Sequence, residues 1–144
     1  MKPSFIARLI FLSEAMIEYE ETAEFKKDLK KLTKKFISLP EDLRTVKKAV
    51  IELRHILNIN NLSTFEITGF SSENYSFWKI KKFACKSLRG RGEQSGLRVI
   101  YRWHQISKKV VFIEIYYKGS KENEDKERIK KYLNIYSLVA RPQG

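Results

Sequence analysis

The chain has 144 residues, 29 Lys and Arg against 17 Asp and Glu, a formal net charge of +12, and 42% hydrophobic with 12% aromatic residues. That length suits one domain able to bury a core without disulfides or metal, and the apolar content excludes a disordered chain. Cys85 stands alone, which excludes an internal disulfide and a cysteine-based zinc site; His55 and His104 make no metal cluster, and a reducing, cytoplasmic compartment is expected.

The excess of one sign exceeds what solubility asks for. It favours a polyanionic partner: nucleic acid, ribosome or anionic membrane.

In chain order, residues 1–15 read as an N-terminal extension. Phe5 to Leu12 is apolar but broken by Arg8, far short of the roughly 20 residues that span a bilayer. The following Ser13 to Met16 offers no convincing signal-peptide cleavage site. An added helix is favoured over a tail. Met16 to Thr22 alternates as a short strand, with Ile17, Tyr19 and Glu21 on one side. Thr22 then caps a helix whose apolar stripe is Phe25, Leu29, Leu32 and Phe36, the rest being lysine (Lys26, Lys27, Lys30, Lys31, Lys34, Lys35).

Pro40 with Glu41 and Asp42 starts a second amphipathic helix carried by Leu43, Val46, Val50, Leu53 and Leu57. The two should pack as a hairpin. Asn58 to Asn74 is a long connection with a short strand expected at Phe65–Thr68. Three strand-like runs follow: Tyr75–Ala84, Leu97–His104 and Lys109–Tyr117. Leu88 to Gly96 is a Gly-rich basic loop between the first two, and Gln105–Lys108 a hairpin turn. Ser120 is read as the cap of a last helix with Glu122, Glu124 and Asp125 in its first turn and Ile129, Tyr132 and Leu133 as its buried stripe. The main domain is thus 16–134, with 135–144 as a C-terminal tail. The fold class is α+β: a twisted antiparallel sheet, mixed at its N-terminal strand, with an N-terminal helical hairpin on one face and a C-terminal helix.

Strand parity separates two faces. Trp78, Ile80 and Ala84, then Leu97, Val99, Tyr101 and Trp103, then Val111, Ile113, Ile115 and Tyr117 are expected in the core. If helices cover only that side, the other collects Lys79, Lys81, Arg98, Arg102, His104, Glu114, Tyr116 and Lys118, interleaved with Phe77, Phe83 and Phe112. Cations for phosphates and rings for unpaired bases make an RNA platform, and the face holds proton-transfer groups. A solvated face with cross-strand ion pairs, notably Glu114 with Arg98, accounts for the same pattern.

The segments Lys79-Ile80-Lys81, Ser95 to Tyr101 (SGLRVIY) and Val111 to Lys118 (VFIEIYYK), after the Phe25 to Leu32 helix, resemble the RelE/ParE toxins of toxin–antitoxin pairs over about residues 16–133. The resemblance implies a RelE-like fold and a toxin that enters the ribosome and cuts mRNA without metal or cofactor, the 2′-hydroxyl being the nucleophile. It also implies an antitoxin partner, which the +12 charge suggests is acidic, with no membrane and no small-molecule ligand. By motif position Lys79, Lys81 and Arg98 would hold and stabilise the scissile phosphate. Where the best-known member has a later arginine and tyrosine, Gly119 and Asp125 stand here. Lys118 is the substitute candidate for the first; Tyr116, Glu114 or His104 for the second. Lys82, Lys86, Arg89, Arg91 and Arg102 are the further RNA-binding candidates. A ParE-like gyrase inhibitor and a catalytically decayed RNA binder remain the competing readings.

Overall fold

A computed structural model describes residues 17–60, 62–81, 83–88 and 95–139, with side chains described as far as Leu133. The expected N-terminal extension lies outside these residues, as does Met16.

Strand β1 (Glu18–Glu21) leads into helix α1 (Ala23–Lys35). Thr22 caps it, accepting the Phe25 N–H at 3.1 Å, with Glu24 in the first turn and Lys34 and Lys35 in the last, each matched to the helix dipole. Helix α2 opens at Leu39–Val46 with Pro40 in its first turn, widens to a π-helix at Lys47–Glu52 and closes at Leu53–His55. The extra residue in the wide turn moves the buried position from the expected Val50 to Ile51. It also turns Glu52 inward, where its Oε1 accepts the Tyr19 hydroxyl at 3.1 Å.

Strands β2 (Thr64–Glu66), β3 (Tyr75–Ile80), β4 (Leu97–His104) and β5 (Lys109–Tyr117) complete a five-stranded sheet in the order β1-β5-β4-β3-β2. Only the β1–β5 pair is parallel. β3 stops at Ile80, short of the expected Ala84, because the chain turns so that Phe83 and Cys85 reach the helix-side core.

One irregularity decides which side chains face where. Ile100 pairs with Glu114, but the next residue, Tyr101, pairs with Phe112, leaving Ile113 as the extra residue of a β-bulge. A one-residue slip exchanges the faces. Ile115 and Tyr117 pack toward the helices as expected, but beyond the bulge Val110 and Phe112 take that place, and Ile113 and Val111 turn away. The expected inward set Val111 and Ile113 is therefore corrected. Phe112 stacks on Phe25 (centroids 5.1 Å apart) and on Tyr19 (6.0 Å).

The sheet carries a core on each face. Phe25, Phe36, Leu39, Leu43, Val46 and Ile51 of the first two helices cover Trp78, Val99, Tyr101 and Phe112. On the opposite face a smaller core joins Phe77, Ile100, Ile113 and Tyr116 to Ile129 of helix α3 (Lys126–Val139), with Ile67, Phe70, Tyr132 and Leu133 around it. The expectation of helices on one side only is thus corrected. α3 also starts later than Ser120. Residues 118–120 form a turn off β5, and Asp125 caps the helix, its Oδ1 accepting the Arg128 N–H at 3.0 Å. The helix runs past Asn134, the expected end of the main domain.

Candidate nucleic-acid interface

Because β3 and β5 end where β4 begins, Lys79 and Lys81, Arg98, and Tyr116 and Lys118 arrive at one corner of the sheet. Register places Lys79 beside Ile100, and Arg98 beside Tyr116, all on the face opposite α1 and α2. Arg98 crosses to β3, its Nη1 donating at 3.0 Å to the carbonyl of Lys81 and at 3.0 Å to that of Leu97. This fixes the guanidinium alongside Lys81. Lys118, just past β5, is exposed, and its N–H bonds the Gly96 carbonyl at 2.8 Å, one row beyond Arg98. Gly96 has φ +86°, a left-handed conformation suited to glycine, and a side chain there would press on Tyr117 at 3.2 Å.

Two carboxylates lie under the corner, each taken by its own lysine. Lys79 Nζ is 2.5 Å from Glu124 Oε2, and both side chains are largely buried. Glu114, buried, accepts from Lys121 Nζ and, at 2.8 Å, from the Asp125 N–H, tying the turn before α3 to the sheet. Lys81, Arg98 and Lys118 have no carboxylate within ion-pair distance among the described residues. The expected Glu114–Arg98 pair does not form. The corner is left with a net positive charge that neither acid reaches.

Protonation follows from these contacts. Burial pushes the Tyr116 phenol up to about 12, reinforced by the charges of Glu124 and Glu114 and opposed by Arg98. Burial alone would raise the Glu124 carboxyl, but its contact with Lys79 outweighs that and holds it below the ordinary value. At neutral pH the corner therefore carries a protonated phenol, an ionised carboxylate and an ion-paired lysine.

The other candidates lie elsewhere. Arg102 is only 5% exposed, its Nη1 donating to the Tyr132 carbonyl at 3.2 Å beneath α3, so a phosphate has no approach to it. His104 ends β4 at the opposite edge, six residues from Arg98, or about 20 Å along a strand. Its Nδ1 holds the hairpin turn through Ser107 N at 3.1 Å, and burial lowers its pKa, with Arg102 adding to the shift. Lys86 belongs to the helix-side surface, bonded to Glu41 at 2.8 Å at the start of α2. Arg89, Arg91 and Lys82 lie outside the described residues. The rings expected to stack with bases are interior: Phe77, Phe83 and Phe112 are fully buried, and Tyr116 nearly so.

Sequence reasoning missed Glu124 and Phe65. Glu124 sat in the first turn of the expected last helix, where a carboxylate needs no further explanation. Phe65 was counted only as part of a short strand. Register puts it opposite Lys79, on the cationic face, with Lys81 Nζ 4.7 Å from its ring centroid.

Residues and register together define an α+β protein with a mixed sheet, a core on each of its faces, and a corner whose Lys81 and Arg98 have no carboxylate partner among the described residues. No family profile and no characterised relative matches the sequence. Among solved structures, the archaeal RelE–RelB complex from Pyrococcus horikoshii OT3 overlaps with a TM-score of 0.45 at 12% identity, over 72% of this chain and 97% of that one. An overlap of this extent does not fix function. Among the described residues no helix is long and apolar enough to cross a membrane, and no group of three or more His, Cys, Asp or Glu is placed to hold a metal ion.

Proposed function

We propose that this protein is a RelE-type toxin that acts on messenger RNA at the ribosome, in the cytoplasm, and is silenced by an acidic antitoxin. The observation that carries the reading is Arg98 held against the Lys81 backbone on a face where no carboxylate among the described residues neutralises either cation. The +12 charge and the SGLRVIY and VFIEIYYK segments support it. Lys81 and Arg98, with Lys118 beside them, grip the scissile phosphate and stabilise its growing negative charge as the 2′-hydroxyl, giving its proton to water, attacks phosphorus to close a 2′,3′-cyclic phosphate and the bond to the 5′-oxygen breaks. Tyr116, protonated at neutral pH, is the group suited to return a proton to that leaving oxygen.

A second reading is favoured by one observation. Lys79 is held in an ion pair by Glu124, so its amino group is not free to take the proton of an attacking hydroxyl. That arrangement fits an RNA-binding homologue that does not cut. Induction of the protein alone, followed by mapping of mRNA 5′ ends, separates the two. New ends in translated messages, abolished by Arg98→Ala, are the expected result. Growth arrest with intact messages overturns the nuclease reading, and lost supercoiling with DNA damage points to a ParE-like inhibitor.

A further inference from the structure

The groove beside the cationic corner has a feature that phosphate gripping does not use. It encloses about 440 Å³ between the Phe65–Phe70 segment on one wall and Lys79, Lys81, Glu124 and Lys126 on the other. A space of that size suits a small organic ligand. Phe65 is 41% exposed, the one exposed aromatic ring among the described side chains. Burying apolar surface is favourable, so a strand phenylalanine left open beside cations is out of keeping with the rest of the sheet, whose other rings are covered.

Lys81 Nζ stands 4.7 Å from the Phe65 centroid, and the Lys81 carbonyl holds Arg98. An apolar π-surface and the Lys81 cation thus line one groove, with Arg98 bonded to the Lys81 backbone beside it, an arrangement matched to a nucleotide, whose base and phosphate are joined by a single ribose. Ring stacking is open to a base in an unpaired strand and closed to one inside a duplex.

We infer that Phe65 is a base-stacking platform, and that the groove takes one unpaired nucleotide with its base on Phe65 and its phosphate on Lys81 and Arg98. The inference rests on the RNA reading above and adds to it a preference for single strands and a contact with the base. No rejection of particular bases is expected from the ring itself, since every base has a π-face.

The test uses the full chain and a fluorescein-labelled 2′-O-methyl oligoadenylate, which resists cleavage, alongside an abasic strand of the same length and the annealed duplex. Binding is read by anisotropy. Phe65→Leu keeps apolar volume at an exposed position and removes the ring; it is expected to weaken oligoadenylate binding about tenfold while leaving the abasic strand unchanged. Phe65→Trp is expected to restore affinity, and the duplex to be insensitive to either change. Equal loss on oligoadenylate and abasic strand, or no loss on either, overturns the stacking role while the cationic corner still stands. If wild type binds neither strand, or Arg98→Ala binds both as well as wild type does, the RNA reading itself fails and this one with it.

Discussion

The two faces of the sheet are built from alternate residues of the same strands and do different work. The helix-side face is apolar along β4 and β5, from Trp103 and Val110 at one end to Leu97 and Ile115 at the other, and α1 and α2 cover it. The second face is divided. Its hairpin half is apolar and closed by α3 through Ile129, with Arg102 buried beneath; its other half carries Lys79, Lys81 and Arg98 beside Tyr116 and stays partly open. On the proposed reading the open half needs its cations held in place, and the neighbouring closed half supplies that support. Glu114 is the join, buried in the sheet yet bonded to Lys121 and to the backbone that starts α3.

Substitutions should separate the two faces by size of effect. Phe112→Ala removes a fully buried ring that touches Phe25 and Tyr19 at the bulge, and a loss of about 3–5 kcal/mol is expected in urea unfolding; a loss below about 1 kcal/mol would mean the helix-side core does not hold the fold. Ile129→Ala strips the second face of its fully buried anchor, at a cost of about 2–4 kcal/mol. Here hydrogen exchange should show α3 amides released while β4 and β5 stay protected. Release of the whole sheet at once would show that the faces are a single cooperative unit.

The pH limb belongs to the helix-side face. His55 lies between Trp103, stacked at 4.6 Å, and Trp78, with Nε2 2.7 Å from the Tyr101 hydroxyl. Burial, with the Arg54 charge adding to it, lowers its pKa to about 3. The folded state therefore favours the neutral ring, while the unfolded chain takes up a proton below its ordinary value of 6.5. Stability from this site is complete above that pH and falls by about 1.4 kcal/mol per pH unit on acidification toward 3. His55→Gln should flatten that limb, and an unchanged slope would remove His55 as its source. Smallest of all, Lys81→Ala on the open half should change stability by less than about 0.5 kcal/mol, since among the described residues its side chain meets only the exposed Phe65 ring.

Much of this was legible from residue spacing. The stripe Phe25, Leu29, Leu32, Phe36 and the Thr22 cap placed α1, and alternation in Leu97–His104 assigned each β4 side chain to its observed face. What escaped was non-local. A bulge is a decision between two strands, so nothing within Val110–Ile115 announces that Phe112 turns inward. The π-turn at Lys47–Glu52 likewise departs from the helical periodicity of Val46, Val50 and Leu53, and its Glu52 meets Tyr19 of β1, a residue far away in sequence. The cover on the second face was hidden because Phe77, Ile100 and Tyr116 alternate as a polar face's residues would, and only α3 folding back reveals them as core. At the site, the shared corner of Lys79, Lys81 and Arg98 followed from parity. The Glu124 contact that neutralises Lys79 required the turn before α3, whose path parity cannot give.

On the proposed reading, the open half of the second face grips phosphates through Lys81 and Arg98. The most direct measurement is the salt dependence of single-stranded RNA affinity for wild type and for the Lys81→Ala/Arg98→Ala double variant. Each lost phosphate contact should lower the slope of log affinity against log salt by about 0.7, so the double variant is expected to bind more weakly and to lose about 1.4 of slope. An unchanged slope with unchanged affinity would contradict the account, because those two cations would then touch no phosphate.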